Sequence, residues 1–167
     1  MRLFIAIPLP DEIKKYITTI QQKFSDLKLA PYEQLHLTLK FFEDVNPDDL
    51  MNLLEQINEQ RFLLHLTSLG VFPSRTQPRV LWIGTSNEVL SLQRQIENIT
   101  SRYPSDKKFH SHITLGRINN IDKEKFLKEL TMKIEPLSFE VKKFCLYQST
   151  LRTTGAEHTL LKTYSLV

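Results

Sequence analysis

The sequence predicts an α+β fold of two pseudo-symmetric lobes, with an antiparallel sheet flanked by helices in each lobe and a groove between the lobes. Apolar runs typical of strands alternate along the chain with amphipathic segments typical of helices. Residues 35–39 (LHLTL) and 111–115 (SHITL) each carry a His and a Thr two residues apart. Each is followed by a short polar loop, a helix that begins with acidic residues, and two strands. This repetition indicates an internal duplication.

The first part of the chain alternates strands and helices. The apolar run 2–9 is a predicted buried strand, and a helix begins at Asp11 and ends at Ala30-Pro31. Apolar residues at spacings of three and four give this helix one buried stripe: Ile13, Ile17, Ile20, Phe24 and Leu27. Residues 34–42 form the first His/Thr strand. Asn46, followed by Pro47 and two acidic residues, is a typical start for the second helix.

The rest of the chain continues the alternation of strands and helices. Asp122 caps the last helix, where Ile121 is placed to pack against Phe126. The predicted elements are an extended segment at 61–72, a loop at 73–78, a strand at 79–85, a helix at 87–102, the second His/Thr strand at 109–118, and final strands at 137–149 and 158–166.

The composition indicates an ordinary soluble protein. The 167 residues are 41% hydrophobic and 25% charged, which predicts a single domain, 1–167, of two intertwined lobes. Cys145 is the one cysteine, so a disulfide framework is excluded and a buried thiol is expected. The opening apolar run is too short to span a membrane and lacks a signal-peptide pattern. We expect a cytoplasmic monomer that does not bind membranes.

The two His/Thr strands have the composition of an acid–base site. Side chains two residues apart share one face of a strand, so His36 lies beside Thr38 and His112 beside Thr114. If the strands meet, two imidazoles and two hydroxyls would surround a small anion. Two core histidines bonded to backbone are the alternative. The mild net charge of +3 fits a small phosphate-bearing substrate better than a broad surface for duplex DNA.

A His-x-Thr triplet is weak evidence by itself. With five histidines in 167 residues, about 0.4 such triplets are expected by chance, and the chain has three. The third, at His65, is followed by no acid-led helix, so we interpret His65 as an ordinary strand residue. His110 has the same parity as His112 and is a candidate for the same groove. His158 has no partner in the sequence and is expected to be unrelated to the site.

Other common catalytic sites are not indicated. The histidines lack the spacing of a zinc site, so no metal is expected. The chain contains no nucleophile elbow of a serine hydrolase. With four glycines, a glycine-rich phosphate loop is not expected either.

Several blocks resemble the two-histidine (2H) phosphoesterases, and within them the RNA 2′,3′-cyclic phosphodiesterases, first named 2′-5′ RNA ligases. The resemblance covers nearly the whole chain. It departs from the family at Phe42-Glu43, where Leu-Gly is frequent, and at Ser111, where Pro is common. The blocks are 2–7 (RLFIAI), 35–41 (LHLTLKF), 69–73 (LGVFP), 78–84 (PRVLWIG), 112–117 (HITLGR), 148–151 (QSTL) and Gly155.

The resemblance implies hydrolysis of an RNA-terminal 2′,3′-cyclic phosphate to a 2′-phosphate, with no metal or other cofactor. It implies that His112 is the base toward water and His36 the acid toward the leaving 3′-oxygen. Imidazole suits both roles because it titrates near neutral pH. Thr38 and Thr114 would donate hydrogen bonds to the phosphate oxygens. The partners would be RNA or nucleotide 2′,3′-cyclic phosphate ends. The alternatives are a non-catalytic nucleotide- or RNA-binding module and a phosphodiesterase for a small cyclic nucleotide.

Four further residues are candidates for substrate contacts. Lys40 shares the parity of His36 and is a candidate to attract phosphate. Arg117 has the opposite parity to His112, so it reaches the groove only if the strand ends or twists there. Phe72 and Arg75 are candidates to stack on a base or contact the RNA backbone.

Overall fold

The computed structural model describes residues 1–24, 27–119 and 122–167. These residues contain nine strands and four α-helices, which confirms the predicted α+β class. The helices are α1 (Asp11–Gln21), α2 (Pro47–Leu54), α3 (Leu90–Ile99) and α4 (Lys123–Glu129). The strands are β1 (Leu3–Pro8), β2 (Leu27–Leu29), β3 (His36–Phe42), β4 (Phe62–Pro73), β5 (Pro78–Thr85), β6 (His112–Ile118), β7 (Ser138–Val141), β8 (Lys143–Arg152) and β9 (Gly155–Ser165).

The strands form two antiparallel sheets, as predicted. The first has the order β3-β1-β8-β9 and the second β2-β6-β5-β4-β7. The two ends of the chain together build the first sheet, while β2 leaves the N-terminal segment to join the second. The first His/Thr strand, β3, and the second, β6, contact each other across the two sheets. The fold therefore brings together the two stretches that the sequence analysis singled out.

Two helices begin as their sequences predict. The side chain of Asn46 accepts hydrogen bonds from the backbone N–H groups of Asp48 and Asp49, at 2.9 and 3.2 Å. The side chain of Asp122 accepts one from the N–H of Lys125. Each cap satisfies donors that have no partner within the helix. The predicted contact of Ile121 with Phe126 lies outside the described residues.

The first helix is shorter than predicted. It ends at Gln21, and Leu27–Leu29 forms the edge strand β2 beside β6. The spacing of Leu27 fits the apolar stripe, but its backbone pairs with β6 instead. The Gln21 side chain secures this junction by donating to the carbonyls of Ala30 and Leu115. The pairing of a short segment with a distant strand cannot be predicted from the local spacing of its apolar residues.

The segment predicted as one strand at 137–149 is two strands in different sheets. The strand is interrupted at Lys142. On one side of it β7 pairs with β4, and on the other β8 pairs with β1 and β9. The alternation of apolar and polar residues stops at Lys142-Lys143 and is followed by the apolar run 144–147, but a run of strand-forming residues on both sides does not show that the two halves pair with different sheets. Cys145 lies in β8 and is buried, as expected.

Candidate active site

The imidazoles of His36 and His112 are held in the same way. Nδ1 of His36 lies 2.5 Å from the carbonyl oxygen of Gln34, and Nδ1 of His112 lies 2.7 Å from that of His110. A carbonyl oxygen only accepts hydrogen bonds, so Nδ1 carries the proton in both rings. Nε2 then has the lone pair when the ring is neutral. Two backbone carbonyls therefore fix the tautomer and the orientation of both rings.

The threonines lie where strand alternation predicts. Thr38 Oγ1 lies 2.9 Å from Nε2 of His36 and donates to it when the ring is neutral. Both Thr38 and His36 are half-buried, whereas Leu37 and Leu39 between and after them are buried in the core. In β6, Thr114 is exposed, and Ile113 is buried.

Burial keeps both imidazoles neutral in the free protein at neutral pH. Burial lowers the pKa of His36 to about 4; the hydrogen bond to Gln34 opposes this change, and nearby positive charge on His158, His112 and Lys14 reinforces it. Burial also lowers the pKa of His112, with its hydrogen bond to His110 acting in the opposite direction. At neutral pH each Nε2 is therefore a proton acceptor.

An aromatic cluster surrounds His112. The ring centroid of Phe72 lies 5.0 Å from that of His112, and Trp82 lies 6.1 Å from it. His110, a candidate from parity, does reach the site, with its ring 5.5 Å from His112 and 4.6 Å from Trp82. Phe72 is thus part of the wall beside His112.

A second cluster surrounds His36 and includes a residue that the sequence did not reveal. Phe4 stacks on His36 at 5.1 Å and on Tyr147 at the same distance. The ring of His158 lies 5.6 Å from His36 and 4.7 Å from Phe4. The expectation that His158 is unrelated to the site was wrong. In the hairpin of β8 and β9, His158 pairs with Ser149. Only this register could have predicted that His158 lies beside His36.

Both His/Thr strands have a β-bulge directly after the threonine. In β3, Thr38 pairs with Ala6 but Lys40 pairs with Ile5, so Leu39 is the extra residue. A bulge reverses which side chains face the groove beyond it. Lys40 consequently points into the protein, where its Nζ lies 2.8 Å from Glu97 Oε2 and 2.8 Å from Thr100 Oγ1. The prediction that Lys40 attracts phosphate was wrong.

The bulge in β6 has the opposite consequence for Arg117. Thr114 pairs with Trp82 and Gly116 with Leu81, which leaves Leu115 as the extra residue. Gly116 is buried, and Arg117 is exposed on the face that carries Thr114. The sequence predicted that Arg117 reaches the groove only if the strand ends or twists there. The bulge supplies such a twist and puts Arg117 on the same side of the strand as Thr114.

The two remaining candidates lie on β4 and on the turn that follows it. Arg75 is exposed in the turn between β4 and β5. His65 lies in β4 opposite Ser138, two strands away from β6 in the second sheet. The interpretation of His65 as an ordinary strand residue is confirmed.

The described residues contain neither a cluster of metal ligands nor a membrane-spanning helix. In ranges 1–24, 27–119 and 122–167, no group of three or more His, Cys, Asp or Glu side chains is arranged to hold a metal ion. Within the same ranges, none of the helices combines the length and the apolar character needed to cross a bilayer.

Comparison with known proteins identifies relatives along the whole chain. The family model of the 2′-5′ RNA ligase superfamily matches residues 9–152. A protein of Methanocaldococcus jannaschii named RNA 2′,3′-cyclic phosphodiesterase is 33% identical over 171 residues, covering 97% of this chain and 99% of that protein.

Solved structures agree with the sequence relatives. A protein of Thermus thermophilus matches with a TM-score of 0.83 at 29% identity, covering 99% of this chain and 98% of that one. Escherichia coli LigT, solved in complex with 3′-AMP, matches with a TM-score of 0.79 at 28% identity, covering 99% of this chain and 97% of LigT.

Proposed function

The chain belongs to the 2′-5′ RNA ligase superfamily, and we propose that it hydrolyses the 2′,3′-cyclic phosphate at the 3′ end of RNA to a 2′-phosphate without a metal ion. One observation carries the proposal. Two imidazoles on strands that contact each other both have Nδ1 bound to a backbone carbonyl, which leaves both Nε2 atoms available for proton transfer. The relatives named RNA 2′,3′-cyclic phosphodiesterase support the substrate.

His112 acts as the general base. Its neutral Nε2 takes a proton from water as the water oxygen attacks phosphorus. A pKa lowered by burial keeps this nitrogen unprotonated at neutral pH.

His36 acts as the general acid. The bond between phosphorus and O3′ breaks, and His36 Nε2 gives its proton to O3′, which leaves a 3′-hydroxyl and a 2′-phosphate. The free protein holds His36 neutral, with a pKa of about 4. A bound phosphodiester places negative charge beside the ring and favours the protonated form, as the hydrogen bond from Nδ1–H to Gln34 already does.

Three side chains stabilise the negative charge on the phosphate oxygens. Thr38 exchanges its hydrogen bond to His36 for one to a non-bridging oxygen once His36 is protonated. Thr114 donates from the other strand, and the Arg117 guanidinium lies on the same face. Donors fixed in place before the reaction stabilise the transition state, in which this charge is greatest.

The alternatives have less support. A binding module without chemistry would not need two matched imidazoles, and the comparisons do not favour it. A phosphodiesterase for small cyclic nucleotides would share the same groove, and a comparison of substrates separates it from an RNA enzyme.

The organisation of the chain is also proposed. Residues 1–167 form one domain of two intertwined lobes, since one sheet contains both ends of the chain and the buried apolar residues form one cluster. A monomer in the cytoplasm stays a prediction, which light scattering on the purified protein and fractionation of cells would test.

Substitution of each histidine tests the mechanism. We expect His36→Ala and His112→Ala each to lower kcat on an RNA ending in 2′,3′-cyclic phosphate by about 10²- to 10⁴-fold, with chelator present throughout. His65→Ala is the matched control, because it removes the histidine of the third His-x-Thr triplet, which lies outside the catalytic pair. We expect this variant to keep full activity. If either His36→Ala or His112→Ala keeps more than about a tenth of wild-type activity, the proposal is contradicted.

A modified substrate distinguishes the acid from the base. With sulfur in place of O3′, the leaving group departs as a thiolate and needs no proton. We expect this substrate to restore most of the rate of His36→Ala and little of that of His112→Ala. The reverse pattern would exchange the two roles. Turnover of mononucleotides with none of RNA would favour the small-nucleotide alternative, and no turnover of either would favour a binding module.

A further inference from the structure

A cleft lined by both polar and apolar residues opens beside the His112 half of the site. Its volume is about 610 Å³, within the range of cavities that hold small ligands. Trp82 and His110 line this cleft, and the same two rings contact the ring of His112. The cleft therefore adjoins the groove in which the phosphate is proposed to react.

The lining of the cleft suits an anion. Arg94 from α3 and Lys108 from the loop before β6 both line it, and both are exposed. Within the described ranges neither side chain forms an ion pair, and the lining contains no Asp or Glu. Hydroxyl and amide groups, including those of Thr67, Ser68 and Asn87, share the rest of the wall with the apolar side chains of Leu90 and Phe109. Two free cations among neutral donors favour a phosphate group.

The position of the cleft relates this anion to the substrate. An RNA that ends in a 2′,3′-cyclic phosphate continues from its last nucleotide only in the 5′ direction, through a phosphodiester. We propose that the cleft binds the nucleotide that precedes the cyclic end, with Arg94 and Lys108 contacting its phosphodiester. Trp82 and His110 separate the cleft from the reacting phosphate. This inference rests on the proposed function and makes the chain selective for oligonucleotides over mononucleotides.

The net charge agrees with a local contact. A net charge of +3 is mild and fits a contact with a short segment better than one along a long nucleic acid. Selectivity for chain length would then come from one additional nucleotide. The effect should be complete in a dinucleotide.

Binding of product-like ligands tests the cleft without turnover. Calorimetry compares adenosine 2′-monophosphate with the dinucleotide ApA ending in a 2′-phosphate. We expect the wild-type protein to bind the dinucleotide about tenfold or more tightly, the gain that one charge-assisted contact supplies. The variant Arg94→Gln/Lys108→Gln should lose this gain. The salt dependence of dinucleotide affinity should also fall by about 0.7 in logarithmic slope for the lost phosphate contact.

A charge-matched variant controls for the overall field. Arg102→Gln/Lys107→Gln removes two exposed cations that do not line the cleft, and it should keep the full gain. Equal affinity of the wild-type protein for the two ligands would overturn the inference. So would a gain that survives in Arg94→Gln/Lys108→Gln, or one that the control variant abolishes to the same extent.

Kinetics separate this inference from the proposed function. We expect kcat/KM to be higher for the dinucleotide cyclic phosphate than for adenosine 2′,3′-cyclic phosphate, and this ratio should fall in Arg94→Gln/Lys108→Gln. If neither cyclic phosphate is hydrolysed, the proposed function fails while calorimetry still decides whether the cleft binds a nucleotide. Hydrolysis of both at equal kcat/KM keeps the proposed function and removes the role of the cleft.

Discussion

The acidity of the two imidazoles predicts an unusually low pH optimum. The perturbation is pH itself, measured on kcat/KM for adenosine 2′,3′-cyclic phosphate, because kcat/KM reports the ionisation of the free enzyme. The cyclic phosphodiester keeps its single negative charge across the range tested. Uridine 2′,3′-cyclic phosphate is the parallel substrate, because its base, unlike adenine, takes up no proton at the acidic end of this range. A change seen with both substrates therefore belongs to the protein.

The magnitude follows from the environments of His36 and His112. The reactive form needs His36 protonated and His112 neutral. With a pKa of about 4 for His36 and one below the usual 6.5 for His112, kcat/KM should be highest between about pH 4 and 6.5. Above that window it should fall tenfold per pH unit, or about a hundredfold from pH 6.5 to 8.5. Two unperturbed histidines would give a maximum near 6.5 instead.

The assay measures initial rates by chromatography at substrate concentrations well below KM and at constant ionic strength. Enzyme preincubated at each pH and returned to pH 6 controls for irreversible loss. In His158→Gln, the acidic limb should move to higher pH, because a positive neighbour of His36 is gone. An optimum at or above pH 7.5, or a plateau from pH 6.5 to 8.5, would refute the reasoning.

Two further predictions concern stability, measured by urea unfolding. Lys40→Met should change the free energy of unfolding by less than about 1 kcal/mol and keep hydrolysis. Glu97→Gln should lower the free energy of unfolding by about 2 kcal/mol, because it leaves the buried Lys40 ammonium without its carboxylate. A large loss of activity in Lys40→Met would restore a role for Lys40 in phosphate binding. The lowered pKa of His36 should contribute about 3 kcal/mol of stability that is present above pH 6.5 and lost as the pH falls toward 4, since the unfolded state binds the proton more tightly. His36→Gln should therefore lose about 2 kcal/mol less than the wild-type protein between pH 7 and pH 4.5, and parallel losses in both would contradict this.

Much of the candidate site could be predicted because strand alternation is local. A His and a Thr two residues apart must share a face, and the apolar residues beside them must enter the core. The caps at Asn46 and Asp122 were predictable for the same reason, since a cap involves only a few neighbouring residues. Features that depend on a partner strand were not predictable. The edge strand β2 and the break at Lys142 both arise from pairing with distant segments.

The two His/Thr strands, their resemblance to a family, and the side of each strand that carries the polar groups could all be predicted from the sequence. The surroundings of those groups depend on how distant strands pair. The bulges at Leu39 and Leu115 form where each strand pairs with its neighbour, and they turn Lys40 inward and Arg117 toward the groove. The hairpin register places His158 beside His36. Alternation along a strand is set by its own backbone, whereas register and bulges are set by a second strand that the local sequence does not contain.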